Sequence, residues 1–447
     1  MMQRLYNMMT CEHYVAFVSR AVALFLIAFA NSGCATPSTA PDKSPTVNAK
    51  HPEIIKVDGR DLQRTLDAAP PNSFVICNRN QPLILSAPVT IRKPLTLQGL
   101  NAQLPKGLSK TPLIVVEAES VAITDFELTG NGDSVPQKDR CALLIVRAGG
   151  FRVERGVFVN SSKDGVMIDG PSVEGRDIVG GTVRDIVGRG CIRDVVSIGG
   201  GGVHGHRIRN VLVDNVRGYD SSKRGAVEVS DGTDNITVRK VYAEKSVYAV
   251  DIQDHNKPGE INSNVVVEDV YALDCTHAIR TANRPLGHSN LTLRDITAQR
   301  CNAPLKISNT SNVTLQNVRI LDHPAGKPPI SISDCDGVSM RDIAVRNSVH
   351  PGPALLIENC NDTLIDGLIL QTGTSTLSSG VCFRATRDET FSGLRIHHVR
   401  AQNVTSAGIL LERSGKAELT DYMISGNLAR VLDRIQGQHA VVTDNLQ

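Results

Sequence analysis

The sequence predicts an all-β fold, a single-stranded right-handed parallel β-helix of about twelve coils with a short N-terminal capping helix. Three observations carry this reading. Segments of about 26 residues repeat along the chain, and each opens with alternating apolar and variable positions. The 447 residues also include only nine Phe, seven Tyr and no Trp, although 41% are hydrophobic. A compact core of this size normally leans on large rings, each burying much apolar area. Thin layers of Val, Ile and Leu stacked on copies of themselves need none.

The alternation is plainest in six segments: Ala226-Val-Glu-Val-Ser-Asp231, Ala249-Val-Asp-Ile-Gln-Asp254, Ala278-Ile-Arg-Thr-Ala-Asn283, Pro304-Leu-Lys-Ile-Ser-Asn309, Pro329-Ile-Ser-Ile-Ser-Asp334 and Ala354-Leu-Leu-Ile-Glu-Asn359. Period two is the signature of a strand with one buried face. Each segment ends in Asp or Asn, which tolerate the left-handed conformation of tight turns. A second strand follows, as in Asn235-Ile-Thr-Val and Asn290-Leu-Thr-Leu, and most run on into a third, as in Val270-Tyr-Ala-Leu.

The third residue of the first strand gives the series Leu144, Met167, Ser197, Glu228, Asp251, Arg280, Lys306, Ser331, Leu356, Cys382, Leu410, in steps of about 26.6 residues. Three short strands per period exclude helical-hairpin repeats, and the fixed Leu and Asn frame of leucine-rich repeats is missing. At about 4.8 Å per rung the coils make a rod of roughly 60 Å. Asn235, Asn264, Asn290 and Asn312 should stack as a turn ladder, and Leu62, Leu66 and Ala69 at helical spacing suit a cap over the open end.

At the N-terminus, Ala21 to Ala30 is an apolar run of ten after Arg20, too short to span a bilayer but suited to a signal-peptide core. Asn31-Ser32-Gly33-Cys34 resembles the cleavage box of bacterial lipoproteins, whose Cys is lipidated, although Asn31 departs from the usual aliphatic residue. Residues 35–50, rich in Pro, Ser and Thr, read as a tether. The expected organisation is a signal peptide at 1–33, lipidated Cys34 and tether at 34–52, and the β-helix at 53–447. This implies a lipoprotein of the bacterial cell envelope, in the outer membrane or periplasm. Simple secretion after Ala30 is the alternative, with an uncleaved helix last.

A net charge of +2, from 48 basic and 46 acidic residues, points to no nucleic-acid partner. Beyond the signal, eight of the ten Cys remain. Cys275 and Cys301, like Cys335 and Cys360, occupy equivalent positions in adjacent coils. Parallel side chains hold their Cβ atoms about 4.8 Å apart, longer than a disulfide prefers. Reduced, packed ladders are expected.

In the first strand the second and fourth positions are apolar and face inward, so the third and fifth should face solvent. The third positions of four coils read Glu228, Asp251, Arg280 and Lys306, an exposed strip of two carboxylates and two cations at mid-rod. It can be a structural salt ladder of weak exposed pairs. It can also be a site, because stacked carboxylates push one pKa upward and suit an acid–base pair or a divalent cation such as calcium. Arg280 and Lys306 would then hold a substrate carboxylate, with Lys223, Arg224 and His277 on the rim.

The repeat resembles that of the pectin-lyase-like superfamily of right-handed β-helix proteins from about Val57 to the C-terminus. That family includes polysaccharide lyases, polygalacturonase-type hydrolases, epimerases and phage tail proteins, and its enzymes usually place their site on this strand face. β-Helix lyases use Lys and Arg from neighbouring coils beside a uronate carboxylate, often with calcium. The resemblance thus implies Lys306 or Arg280 as base and charge stabiliser, with Glu228 and Asp251 binding cation or substrate. Asp164 and Asp194 look like the catalytic Asp residues of polygalacturonases. That family's doubled Asp, Gly-His-Gly and the Lys after its substrate-binding Arg are absent, with Gly225 and Ala282 standing where the His and Lys would be. The expected function is action on an acidic uronate polysaccharide by β-elimination. The alternatives are a polygalacturonase-like hydrolase and a non-catalytic polysaccharide-binding or adhesin-like rod, the last favoured by the absence of Trp.

Overall fold

In a computed structural model of the chain, the described residues are 52–57, 61–78, 80–108, 110–282, 287–371, 377–401, 404–435 and 440–443. All belong to one compact unit, Pro52–Gln447. The signal peptide, Cys34 and nearly all of the tether lie outside the described residues.

The unit is a single-stranded parallel β-helix. One sheet of fourteen strands carries the first strand of each coil, from Val89–Ile91 to Val431–Asp433. Among the described residues a second sheet, of eighteen strands, carries the others, apart from a two-stranded pair, Thr390–Ser392 with Glu418–Thr420. The long members of the second sheet, such as Thr233–Glu244 and His288–Gln299, are each two predicted strands joined round a corner. Left-handed residues make the corners: Asn235 and Lys240 in the first, Asn290 and Asp295 in the second. Single residues turn the chain here, so the strands fuse.

The Asn ladder forms. Asn210, Asn235, Asn264, Asn290 and Asn312 all have φ between 54° and 58°. Side-chain amides donate along the column, Asn235 to Asn210 at 2.7 Å, Asn290 to Asn264 at 2.9 Å and Asn312 to Asn290 at 3.0 Å. Asn264 turns its amide to Asp234 instead, at 2.7 Å.

Register follows the predicted series, with Glu228 beside Asp251, Asp251 beside Arg280 and Arg280 beside Lys306. The first step is shifted by one residue. Ile145 pairs with Met167, while Leu144 pairs with Val166 and faces the core. Leu143 and Leu144 are both buried, so the alternation there starts one residue later than the apolar run suggests.

Inside the rod, Val196, Val227, Val250, Ile279, Leu305, Ile330 and Leu355 form one continuous aliphatic ladder, all buried. Each such side chain contributes about 1.5–3 kcal/mol when removed from water. The capping helix spans Leu62–Ala68 and buries Leu62 and Leu66. Gln63 clamps it to the first coils: its amide donates to the Thr90 carbonyl at 3.0 Å, and its Oε1 accepts the Thr90 N–H at 2.7 Å. All eight cysteines among the described residues are free thiols. Cys275 Sγ donates to the Leu273 carbonyl and Cys301 Sγ to the Ala272 carbonyl.

Turn length varies in a way that places the site. Downstream of the short strands, long turns occupy residues 170–177, 200–207 and 254–262, whereas the turns after Ser308 and Ser333 are very short. The long turns therefore border one edge of the sheet in its charged middle portion.

Candidate functional site: a row of cations over buried carboxylates

The short strands Val166–Asp169, Val196–Gly199, Gly225–Ser230, Tyr248–Gln253, His277–Ala282 and Leu305–Ser308 lie side by side. Two columns of polar residues cross them. One contains Asp164 and Asp194, then Gly225, Tyr248 and His277. The other contains Ser197, Glu228, Asp251, Arg280 and Lys306.

The expectation of an exposed strip is corrected for its carboxylates. Glu228 and Asp251 are at most 1% exposed, and Asp164 and Asp194 are 0% exposed. Glu228 and Asp251 leave their strands from the face opposite the aliphatic ladder, but longer neighbours cover them. Arg193 lies over three at once: Nε is 3.4 Å from Asp164, and Nη2 is 3.8 Å from Asp194 and 3.1 Å from Glu228. Glu228 is also paired with Arg224, accepts the Ser197 hydroxyl at 2.8 Å and accepts the Gln253 amide. Arg280 grips Asp251 in a two-pronged pair, with Nε 2.8 Å from Oδ1 and Nη2 2.5 Å from Oδ2. Glu228 and Asp251, read from sequence as a cation site, are thus both neutralised by arginines.

Arg280 is partly exposed and Lys306, one rung on, is exposed. Burial opposes the charge of Arg280, but hydrogen bonds and the charge of Asp251 outweigh it and lift the guanidinium above its ordinary value. It is a permanent cation, unsuited to act as a base. Lys223 is exposed and Arg224 is half-buried, as rim residues would be. His277 is corrected: it begins a strand and is buried, its Nδ1 donating to the Ala303 carbonyl at 2.6 Å. Burial lowers its pKa, the hydrogen bond to the Ala303 carbonyl offsets part of this, and the nearby charge of Arg280 adds to the lowering.

Asp164 and Asp194 occupy adjacent coils as predicted, but neither reaches the surface. The Asp194 N–H donates to Asp164 Oδ1 at 3.2 Å, and Asp194 Oδ1 accepts the Gly225 N–H at 3.2 Å and the Tyr248 hydroxyl at 2.8 Å. Burial, and then the neighbouring Asp164 charge, push the Asp194 carboxyl up to about 7. Tyr248 is wholly buried, with the Arg280 guanidinium carbon 5.0 Å from its ring centroid.

Sequence reading missed the roles of Lys163, Arg193 and Tyr248. A signal was present for the cations: Lys163, Arg193 and Arg224 all stand one residue before the equivalent positions Asp164, Asp194 and Gly225. The outcome is a face whose mid-rod acids are underneath and whose accessible charged atoms there come from Lys163, Arg193, Lys223, Arg224, Arg280 and Lys306, while Asp169 on the first of these strands stays half-exposed beside Arg147.

No protein-family model matches the sequence, and no curated protein matches it. Solved structures do resemble it. An N-terminal fragment of the bacteriophage Phi29 gene product 12 is 11% identical with a TM-score of 0.52, covering 87% of this chain and 78% of its own. The catalytic domain of a GH87 alpha-1,3-glucanase bound to nigerose is 9% identical with a TM-score of 0.45, covering 93% and 71%. An iota-carrageenase bound to iota-carrageenan fragments is 11% identical with a TM-score of 0.39, covering 77% and 94%. What is shared is the fold. It is the parallel β-helix described above, and the phage fragment carries that likeness.

Proposed function

We propose that this chain acts on an acidic polysaccharide laid along the short-strand sheet, and that it does so by β-elimination next to a uronate carboxylate. The observation that carries the proposal is the row of cationic atoms at mid-rod, with the two strip carboxylates, Glu228 and Asp251, and the neighbouring Asp164 and Asp194 buried beneath it. A polyanion meets the charge it needs, and the long turns border the row on one edge. Arg280, preset by Asp251, offers its remaining N–H groups to a uronate carboxylate. Neutralising that carboxylate acidifies the adjacent C–H, and exposed Lys306, one rung away, is the group placed to take the proton.

The buried state of Asp164 and Asp194 counts against the hydrolase alternative, since a catalytic carboxyl has to touch the substrate. A second reading, a binder without catalysis, is favoured by one observation: Arg193, Arg224 and Arg280 are each engaged by an acid, which suits recognition more than proton transfer. Export to the cell envelope, with Cys34 lipidated, belongs to the same proposal, because it brings the rod to extracellular polymers.

Purified protein incubated with a panel of uronate polymers, with and without calcium, decides among these readings. β-Elimination predicts new unsaturated-uronate absorbance that Lys306→Ala abolishes. Reducing ends without that absorbance would mean hydrolysis. Salt-sensitive binding with neither product would leave the binder, and no interaction with any polyanion would end the proposal.

A further inference from the structure

Just past the C-terminal ends of the strands that carry Glu228 and Asp251, a second cluster gathers donors of a different kind. Asp231 follows the Gly225–Ser230 strand in a left-handed turn, φ 61°. His255 and Glu260 belong to the long turn after the next short strand, Tyr248–Gln253. His255 Nδ1 lies 2.7 Å from Asp231 Oδ1, and one donor atom from each of the three residues falls within 4.8 Å of the others.

The three come together on a rigid seat. Glu260 is buried, and its Oε2 accepts the backbone N–H groups of His255 at 2.8 Å and Lys257 at 3.0 Å, which fixes the carboxylate. The turn is pressed against its neighbours: a Cβ on Gly202 or Gly232 would collide with the Gly259 carbonyl, and the Gly232 N–H is held by Asn262 Oδ1 at 3.2 Å. Burial raises the Asp231 carboxyl and the Glu260 charge raises it further, while His255 offsets part of this. Lys257 Nζ lies 3.9 Å from Glu260 Oε1. Two carboxylates are thus drawn together in a partly buried corner with an imidazole between them.

We propose that Asp231, His255 and Glu260 form a binding site for a divalent transition-metal ion of the zinc class. Imidazole nitrogen together with carboxylate oxygen is the donor set of such ions, whereas calcium takes six to eight oxygens. Donors about 2.0–2.1 Å from one ion at near-tetrahedral angles stand about 3.3 Å apart. The three donors lie within 4.8 Å of one another, and the approach to that spacing falls to the His255 ring and the Asp231 carboxyl, which turn toward the fixed Glu260. Three protein ligands leave a fourth position open. The site is independent of the polysaccharide proposal, and its test requires no substrate.

The test uses tag-free, full-length protein stripped with a chelator and titrated calorimetrically with zinc, manganese or calcium chloride. Expected are one high-affinity zinc per chain, a higher Tm on loading, and weaker binding of manganese and calcium. His255 is half-exposed, so His255→Ala should fold normally. It should weaken that zinc site about tenfold or more, since even groups that only orient a metal ligand are worth about 10–100-fold. Asp231→Asn should do the same. Zinc binding equal in wild type and His255→Ala, a preference for calcium, or no metal binding at all would each overturn the proposal.

Discussion

The Tyr248 hydroxyl donates to Asp194 at 2.8 Å across an intervening coil, and Gly225 is the residue it passes. The ring can lie along the rod only because the coil between supplies no side chain. Tyr248→Phe keeps the ring and removes the donor, leaving the buried Asp194 with one fewer partner. A loss of about 1–3 kcal/mol is expected in urea unfolding.

Gly225→Ala tests the space itself. A Cβ at this position would collide with the Tyr248 carbonyl and ring. The site is closed on all sides by packed coils, so relief requires a backbone shift, and a loss of about 1–3 kcal/mol or more is expected. The double variant Gly225→Ala with Tyr248→Ala should recover part of that loss in the same assay.

Asp194 makes stability depend on pH. In the folded chain its carboxyl is raised from the ordinary 3.8 to about 7, so between those values the folded state binds more protons than the unfolded state. By linkage this contribution to stability is present below the lower value and is lost as pH rises through the window. Asp194→Asn has no proton to lose and can still accept through Oδ1. It should flatten the decline, so that its urea midpoint exceeds the wild type's by more at about pH 8 than at about pH 4. An unchanged slope would place the titration elsewhere.

Much of the fold was legible because a parallel β-helix repeats locally: alternation, turn residues and spacing recur in every coil, and a stack of coils fixes the register. Hence Glu228, Asp251, Arg280 and Lys306 fall on adjacent rungs as their spacing implies. Burial of the outward residues was not legible in the same way. Alternation tells which side of a strand Glu228 leaves from, but not that Arg193 and Arg224, from the segments preceding two strands, fold over it. The Asp231, His255 and Glu260 cluster was hidden for a related reason. His255 and Glu260 sit in a turn that breaks the period, and a turn without a repeat has no register to read.

The Arg280–Asp251 pair permits a double-mutant cycle. Arg280→Ala leaves a buried carboxylate without its cation and should cost about 3–5 kcal/mol, whereas removing both charges together should cost much less than the sum of the single changes. Additive losses in urea unfolding would show that the two side chains act independently.

Asp164→Asn and Asp194→Asn, made separately, divide the catalytic readings. Both carboxyls are fully buried and engaged with each other, with Arg193 and, for Asp194, with Tyr248, so they hold the coils rather than meet a sugar. Turnover of the uronate polymer that the wild type cleaves should therefore survive each change within about threefold once compared at equal folded fraction, while Lys306→Ala loses it by about a hundredfold or more, as expected for removal of a proton-transfer group. A loss of activity with Asp164→Asn or Asp194→Asn at unchanged Tm would return the chemistry to the aspartates. It would require these side chains to become accessible when polymer binds.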